Sequence, residues 1–213
     1  CHPQSNGKTD YRTRQSITAA ESDNPFYRCF EGGMLTLNAF IRKVPDRVVY
    51  WGTSGQRITD SYHFDACCMK ELLDYSRLLH GKDIRGQLTP PSFEDIKTNI
   101  QFHYDTIRKY ASSTGRSIYS FGWLLDIARC IYTLRTGKII SKTAAGEWAL
   151  QNCLFHNITA LETALEVRKN PQKYLESAEL QALSGKLGNA IQQYADVLEK
   201  ELKTTSFVGV CTF

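Results

Sequence analysis

Long apolar runs are missing from this chain. No stretch of about 18 consecutive apolar residues occurs, so a membrane-spanning helix is not expected. The opening residues show no secretory signal pattern. Paired cysteines are missing as well. Cys1, Cys29, Cys67, Cys68, Cys130, Cys153 and Cys211 are odd in number, irregular in spacing and free of any CxxC pair, so neither a zinc site nor a dithiol redox centre is indicated. Cys67 and Cys130 fall within apolar helical patterns, where a free cysteine behaves as a small buried hydrophobe. That usage fits a reducing compartment, and a cytoplasmic protein is expected. Among His80, His103 and His156 no two sit at metal-ligand spacing. A strong charge of either sign is also absent. The net charge of +4 suits an anionic small molecule and gives no argument for nucleic acid, so neither nucleic acid nor a membrane is expected as a partner. There is no internal repeat and no low-complexity tract.

What is present is an ordinary globular composition, 42% hydrophobic and 11% aromatic over 213 residues, enough for one large domain or two small ones. Cys1 to Asn24 is polar and is expected to be flexible or loosely attached. Met34 to Ile41 mixes β-branched and apolar residues without helical spacing, and Arg47 to Trp51 reads as a short strand bounded by Pro45-Asp46 and by Gly52 to Gly55. One or two strands with a loop are expected here. From Tyr62 onward the pattern is helical. Phe64 to Leu79 carries apolar residues at helical steps up to Gly81. Ser92 with Asp95 forms a capping-box-like start, with a shorter acid than the usual Glu or Gln, for a helix reaching about Tyr110. Asn157 can cap a further helix, and Asn170-Pro171 reads as an N-cap followed by a proline at the first helical position. Glu176 to Leu202 holds a seam of Leu180, Leu183, Leu187, Ile191, Tyr194 and Leu198, with Gly185 and Gly188 placed to interrupt or bend it. Thr204 to Phe213 is a short apolar tail that reads as a docked extension.

The most informative stretch is Ser117 to Leu150, two helices joined by a basic turn. In the first, Ile118, Phe121, Leu124, Leu125, Ala128, Ile131 and Tyr132 make one apolar stripe. Gly137 ends it, because glycine readily takes the left-handed conformation that a helix C-terminus often needs. Ser141 is placed to cap the second helix, with Trp148 and Leu150 facing inward. Two cations stand out. Arg129 lies beside the apolar stripe, where an arginine is costly unless paired. Lys142 occupies the first turn of the second helix, where its charge opposes the helix dipole. An anion docked between the helices would offset both costs. Pairing of Arg129 with a carboxylate of its own fold, Asp126 or Glu147, and plain solvation of Lys142 are the other readings of the same spacing.

The string WLLDIARCIYTLRTGKIISKTAAGEWAL resembles the C-terminal helical domain of streptomycin/spectinomycin adenylyltransferases, carried by Arg129, Tyr132, Thr136, Gly137, Lys138, Lys142, Ala144, Ala145, Trp148 and Ala149. Lys70 to Ile84, KELLDYSRLLHGKDI, resembles the helix and turn that precede that domain. The resemblance implies a mainly α chain, a bundle of about six helices over residues 61–213, preceded in residues 1–60 by a flexible segment and a short β remnant of a nucleotidyltransferase sheet. It implies ATP and Mg²⁺ as cofactors, a small-molecule substrate, and contacts from Arg129 and Lys142 to the ATP phosphates.

The same resemblance implies a strand turn carrying GlySer and two carboxylates at alternate strand positions, where both would face a Mg²⁺ on the triphosphate. Gly52 to Gly55 followed by Phe64-Asp65-Ala66 is the nearest approach. It fails, because the second acid would fall at His63 or Cys67, and magnesium prefers oxygen ligands. Asp60 is too far from Asp65 to alternate with it, and a loop followed by a helix is the expected identity. Together with Cys1 in place of an initiating methionine, this leads to the expectation that an N-terminal nucleotidyltransferase segment holding the metal ligands lies outside this chain. Glu31 occupies the position implied for the general base, with a surface-loop glutamate as its other reading. The positions of the family's aminoglycoside-binding acids read Tyr119 and Gly122, neither acidic, so an aminoglycoside acceptor is in question. The expected function is a part in adenylyl transfer from Mg-ATP to a hydroxyl of a small molecule. A non-catalytic helical module binding a nucleotide or a protein is the alternative.

Overall fold

The computed structural model describes residues 32–33, 35–52, 55–62 and 64–205. The polar N-terminal stretch, Glu31 and the apolar tail after residue 205 lie outside the described residues. The chain divides into two compact units, residues 1–69 with 77–89, and residues 70–76 with 90–213.

In the first unit, β1 (Gly32–Gly33), β2 (Asp46–Gly52) and β3 (Gly55–Tyr62) form an antiparallel sheet in the order β1-β2-β3. The register pairs Val48 with Thr59 and Val49 with Ile58, after a shift between Asp46 and Val48. Val48 and Val49 are both buried. The strand expected at 47–51 is present, and Gly52 at its end pairs with Gly55 at the start of β3. The segment around residues 34–41 does not form a strand. Leu37–Arg42 is a short helix, α1. The Thr36 hydroxyl accepts from the Ala39 N–H at its start, and Lys43 closes it in the left-handed conformation at φ 53. Asp46 completes the cap from ten residues away, its Oδ2 accepting from the Thr36 N–H at 2.6 Å. Helix α2 (Ala66–Tyr75) follows, its first four residues in this unit and Lys70–Tyr75 in the second. Asp65 caps it, accepting from the Cys68 N–H at 2.8 Å. Asp60, on β3, faces Arg47 at 3.2 Å.

The second unit is helical. Its main elements are α3 (Phe93–Tyr110), α4 (Gly122–Thr136), α5 (Lys142–Gln151), α6 (Ile158–Lys169), α7 (Pro171–Tyr174), α8 (Ala178–Ser184) and α9 (Gly188–Thr204). Among the described residues six helices have ten residues or more and three are shorter. The expected mainly α chain, with a helical bundle preceded by a short β element, is therefore borne out. No helix among the described residues is long and apolar enough to cross a membrane.

The helix boundaries follow local chemistry. Ser92 and Asp95 form the reciprocal capping box of α3, with the Asp95 N–H donating to Ser92 Oγ at 3.1 Å and the Ser92 N–H to Asp95 Oδ2 at 2.9 Å. Gly137 ends α4 at φ 66, its N–H donating to Thr133 O at 2.8 Å. Ser141 Oγ accepts from the Ala144 N–H, and Asn157 Oδ1 from the Ala160 N–H, both at 3.1 Å. Pro171 takes the first position of α7, but Asn170 makes no side-chain cap there and instead donates to Glu166 Oε1. The long seam from residue 176 is two helices, α8 and α9, broken after Ser184.

Helix α4 is the centre of the unit and packs against α3, α5, α6 and α9. A 3-10 turn, Ile118–Phe121, leads into it. The sequence predicts one apolar stripe, yet Leu124, Leu125, Asp126, Ile127, Ala128, Cys130, Ile131, Thr133 and Leu134 are all buried. A helix enclosed by four neighbours needs apolar surface almost all round.

Among the described residues one buried side-chain polar group lacks a partner. Tyr194 of α9 is fully buried, stacks on Phe155 at 4.4 Å between ring centroids, and leaves its hydroxyl without a hydrogen bond. Burial pushes its phenol above the ordinary value of 10.0, partly offset by the charge of Arg135. A group whose folded-state pKa exceeds its unfolded value supports stability fully below that unfolded value, and the support fades as pH rises beyond it. Tyr194→Phe removes the unsatisfied hydroxyl, and the expected result is a gain of up to about 1 kcal/mol. It should also remove the part of the stability loss above about pH 10 that comes from this phenol. Thermal melts of both proteins across pH 7–11 check this, and a clear drop in stability at neutral pH would contradict it.

Candidate functional site

The α4–α5 hairpin carries the two cations singled out in the sequence, and it brings them together. Asp126 and Arg129 lie one turn apart on α4, a spacing that places both on one side of the helix. Residues 137–141 then reverse the chain, and Lys142 opens α5. The Lys142 ammonium lies 2.9 Å from Asp126 Oδ1 and 3.0 Å from Oδ2. Arg129 Nη2 lies 3.6 Å from the same Oδ1, and Arg129 Nη1 is 4.0 Å from Glu71 on α2. Glu147, the other carboxylate considered for Arg129, pairs with Lys169 at 2.6 Å instead.

Asp126 thus meets both local costs that the sequence reveals. It gives Arg129 a counter-ion, and it holds the lysine at the positive end of α5. The match is uneven. Two cations share one close carboxylate, and the more distant Glu71 is half exposed. The two cationic side chains each keep 30% of their surface exposed, against 13% for Asp126. Arg129, Lys142 and Asp126 alone sum to one positive charge, which the half-exposed Glu71 balances formally from 4.0 Å. The two cationic heads, more exposed than Asp126 and next to a helix N-terminus, are the part an anionic group would meet.

The surrounding residues hold the hairpin in place. Gly146 sits so close to α4 and α6 that an added Cβ would lie 2.7 Å from Leu125 and 2.8 Å from Leu165. Ala145, Gly146 and Ala149 form the buried face of α5, whereas Trp148 and Leu150, expected inward, are only half buried. A close helix approach takes small residues at the contact and leaves large ones to its flanks. Trp148 packs edge-on to Tyr132 at 5.1 Å, and the Arg135 guanidinium lies 5.8 Å over its ring. Arg135 also pairs with Glu201 of α9, an interaction that raises its pKa. Thr136 Oγ1 donates to Tyr132 O at 2.9 Å and accepts from the Lys138 N–H at 3.1 Å. Tyr132, Thr136, Gly137, Ala145 and Trp148 are thus hairpin-building residues.

Tyr119 is exposed at 63%, and Gly122 is the first residue of α4. Glu31 lies outside the described residues, so its position relative to this cluster is not defined. Among the described residues no group of three or more His, Cys, Asp or Glu side chains is placed to hold a metal ion. A cavity of about 340 Å³ lies among α6, α7 and α8, lined by Glu162, Thr163, Glu166, Val167, Tyr174 and Leu180. Its Glu166 carboxylate is already engaged by Tyr174 Oη at 2.8 Å and by Asn170 and Lys173. The role of Asp126 as shared counter-ion was only half readable in advance. The i,i+3 spacing suggests its pairing with Arg129, but no local pattern signals its contact with Lys142.

The second unit is an α-helical domain built round one enclosed helix, with a cationic hairpin at the junction of α4 and α5. Residues 96–200 match the family described as aminoglycoside adenylyltransferase, C-terminal domain, and this part of the chain belongs to that family. No curated protein and no solved structure matches the chain.

Proposed function

We propose that the chain takes part in nucleotidyl transfer from ATP to a hydroxyl of a small molecule, with Arg129 and Lys142 contacting the nucleotide phosphates. The observation that carries this reading is the convergence of two cations from adjoining helices on a single carboxylate. Two adjacent, partly exposed cationic heads suit a phosphate group, and the guanidinium offers the fork of donors that phosphate oxygens accept. Family membership of residues 96–200 supports the reaction class. Glu31 is assigned the part of general base toward the acceptor hydroxyl, as the sequence resemblance implies. Among the described residues no cluster is placed to hold a magnesium ion; as the sequence resemblance implies, a nucleotidyltransferase segment outside this chain would supply its ligands. The acceptor remains a small molecule bearing a hydroxyl.

Calorimetric titration of ATP into the full chain tests the phosphate contacts. Arg129→Ala and Lys142→Ala are each expected to weaken binding by about 1.5–3 kcal/mol, the range for hydrogen bonds to charged groups. Unchanged affinity in both variants would remove the proposal. Tight ATP binding with no adenylyl transfer to any hydroxyl acceptor, even with an added nucleotidyltransferase segment, would favour the non-catalytic binding module instead.

A further inference from the structure

We propose that Asp126 is a positioning residue for the phosphate contacts, an inference that rests on the reading just given. Both oxygens of its carboxylate hold the Lys142 ammonium, at 2.9 and 3.0 Å, and one of them lies 3.6 Å from the Arg129 guanidinium. The backbone beneath it is fixed, because Leu125 and Ile127 on either side are 1% and 0% exposed. Lysine and arginine are otherwise flexible side chains, and a ligand that must immobilise them loses affinity. Lys142 is held by two short contacts and Arg129 by a looser one to the same carboxylate, so both heads already stand together while each stays more exposed than Asp126. An arriving phosphate then meets a pre-built pair.

This role and simple charge counting predict opposite results. By charge alone, removing the carboxylate raises the local positive charge and strengthens binding of an anion. By positioning, removing it frees two long side chains and weakens binding in spite of the added charge.

The test titrates inorganic tripolyphosphate into the full chain and its variants. Asp126→Asn keeps the shape and loses the charge, and it is expected to weaken binding about tenfold or more, from the cost of ordering two side chains. Glu71→Gln, which removes the exposed acid 4.0 Å from Arg129, is expected to leave binding equal or tighter. In a double-mutant cycle, Asp126→Asn should cost less in the Lys142→Ala background than in the wild type, because one of the two side chains it holds is then gone; a merely structural role would give additive losses. Equal or tighter binding by Asp126→Asn, or full additivity in the cycle, overturns the inference. Should that variant melt too low to titrate, Asp126→Glu keeps the charge and displaces it by one methylene; weaker binding supports positioning and equal binding overturns it. If the wild-type chain takes up no tripolyphosphate, or if Arg129→Ala and Lys142→Ala bind it unchanged, the phosphate reading falls and this inference with it. If those two variants weaken binding and Asp126→Asn does not, this inference alone falls.

Discussion

Gly188→Ala is expected to destabilise the protein strongly. An added Cβ at this position would stand 2.2 Å from the Ser112 carbonyl oxygen and 2.9 Å from its carbon. Intrinsic propensity points the other way, since alanine is favoured over glycine in a helix by up to about 1 kcal/mol. The clash decides the sign, because the obstacle is backbone and cannot swing aside like the end of a side chain. The Ser112 backbone belongs to the connection between α3 and α4, and residue 188 opens α9, so relief requires one element to shift against another. Thr114 tightens the same joint. Its hydroxyl donates to Ser184 O at 2.6 Å and accepts from the Leu187 N–H at 3.2 Å. Overpacking of this kind costs about 1–3 kcal/mol, and more where no neighbour can yield. Chemical denaturation compares the two proteins, and a midpoint equal to or above that of the wild type would show that the approach is looser than described.

Ile127→Ala is expected to cost about 2–5 kcal/mol, as much as Leu124→Ala, the range for buried large-to-small changes. Leu124 belongs to the apolar stripe visible in the sequence, and Ile127 does not. In the structure both are 0% exposed, because α4 is enclosed by α3, α5, α6 and α9. A helix lying on the surface of a bundle would tolerate the change at Ile127 far better than the change at Leu124. Denaturant midpoints of the two variants, measured side by side, separate the enclosed helix from the surface one. A small loss at Ile127 beside a large one at Leu124 would place α4 at the edge of the unit.

The parts of this fold that were legible in the sequence are those decided within a few residues. The Ser92–Asp95 capping box, the Ser141 and Asn157 caps and the left-handed Gly137 are local chemistry, and each is found where the sequence puts it. Helix α1 was not legible, because part of its cap comes from Asp46, ten residues on. The enclosure of α4 was not legible either. Periodicity treats one element at a time and does not register how many neighbours that element will have. The site divides along the same line. Arg129 and Lys142 stand out because each placement is locally unfavourable, and that cost is visible without a structure. Their meeting on Asp126 depends on how α4 and α5 lie against each other, across 16 residues of sequence, and that is a property of packing.

The enclosure of α4 also sets an order of assembly. The cationic hairpin is drawn from one short stretch of chain, residues 126 to 142, and its loop closes at small entropic cost. The wall that α9 provides for α4 comes from residues 188–204 and must return across more than fifty residues to find its place. During synthesis the hairpin is complete while the apolar surface of α4 still awaits α9. Until that helix leaves the ribosome the face of α4 that α9 covers has no partner, and exposed apolar surface of this kind is what makes a partly made chain prone to aggregate.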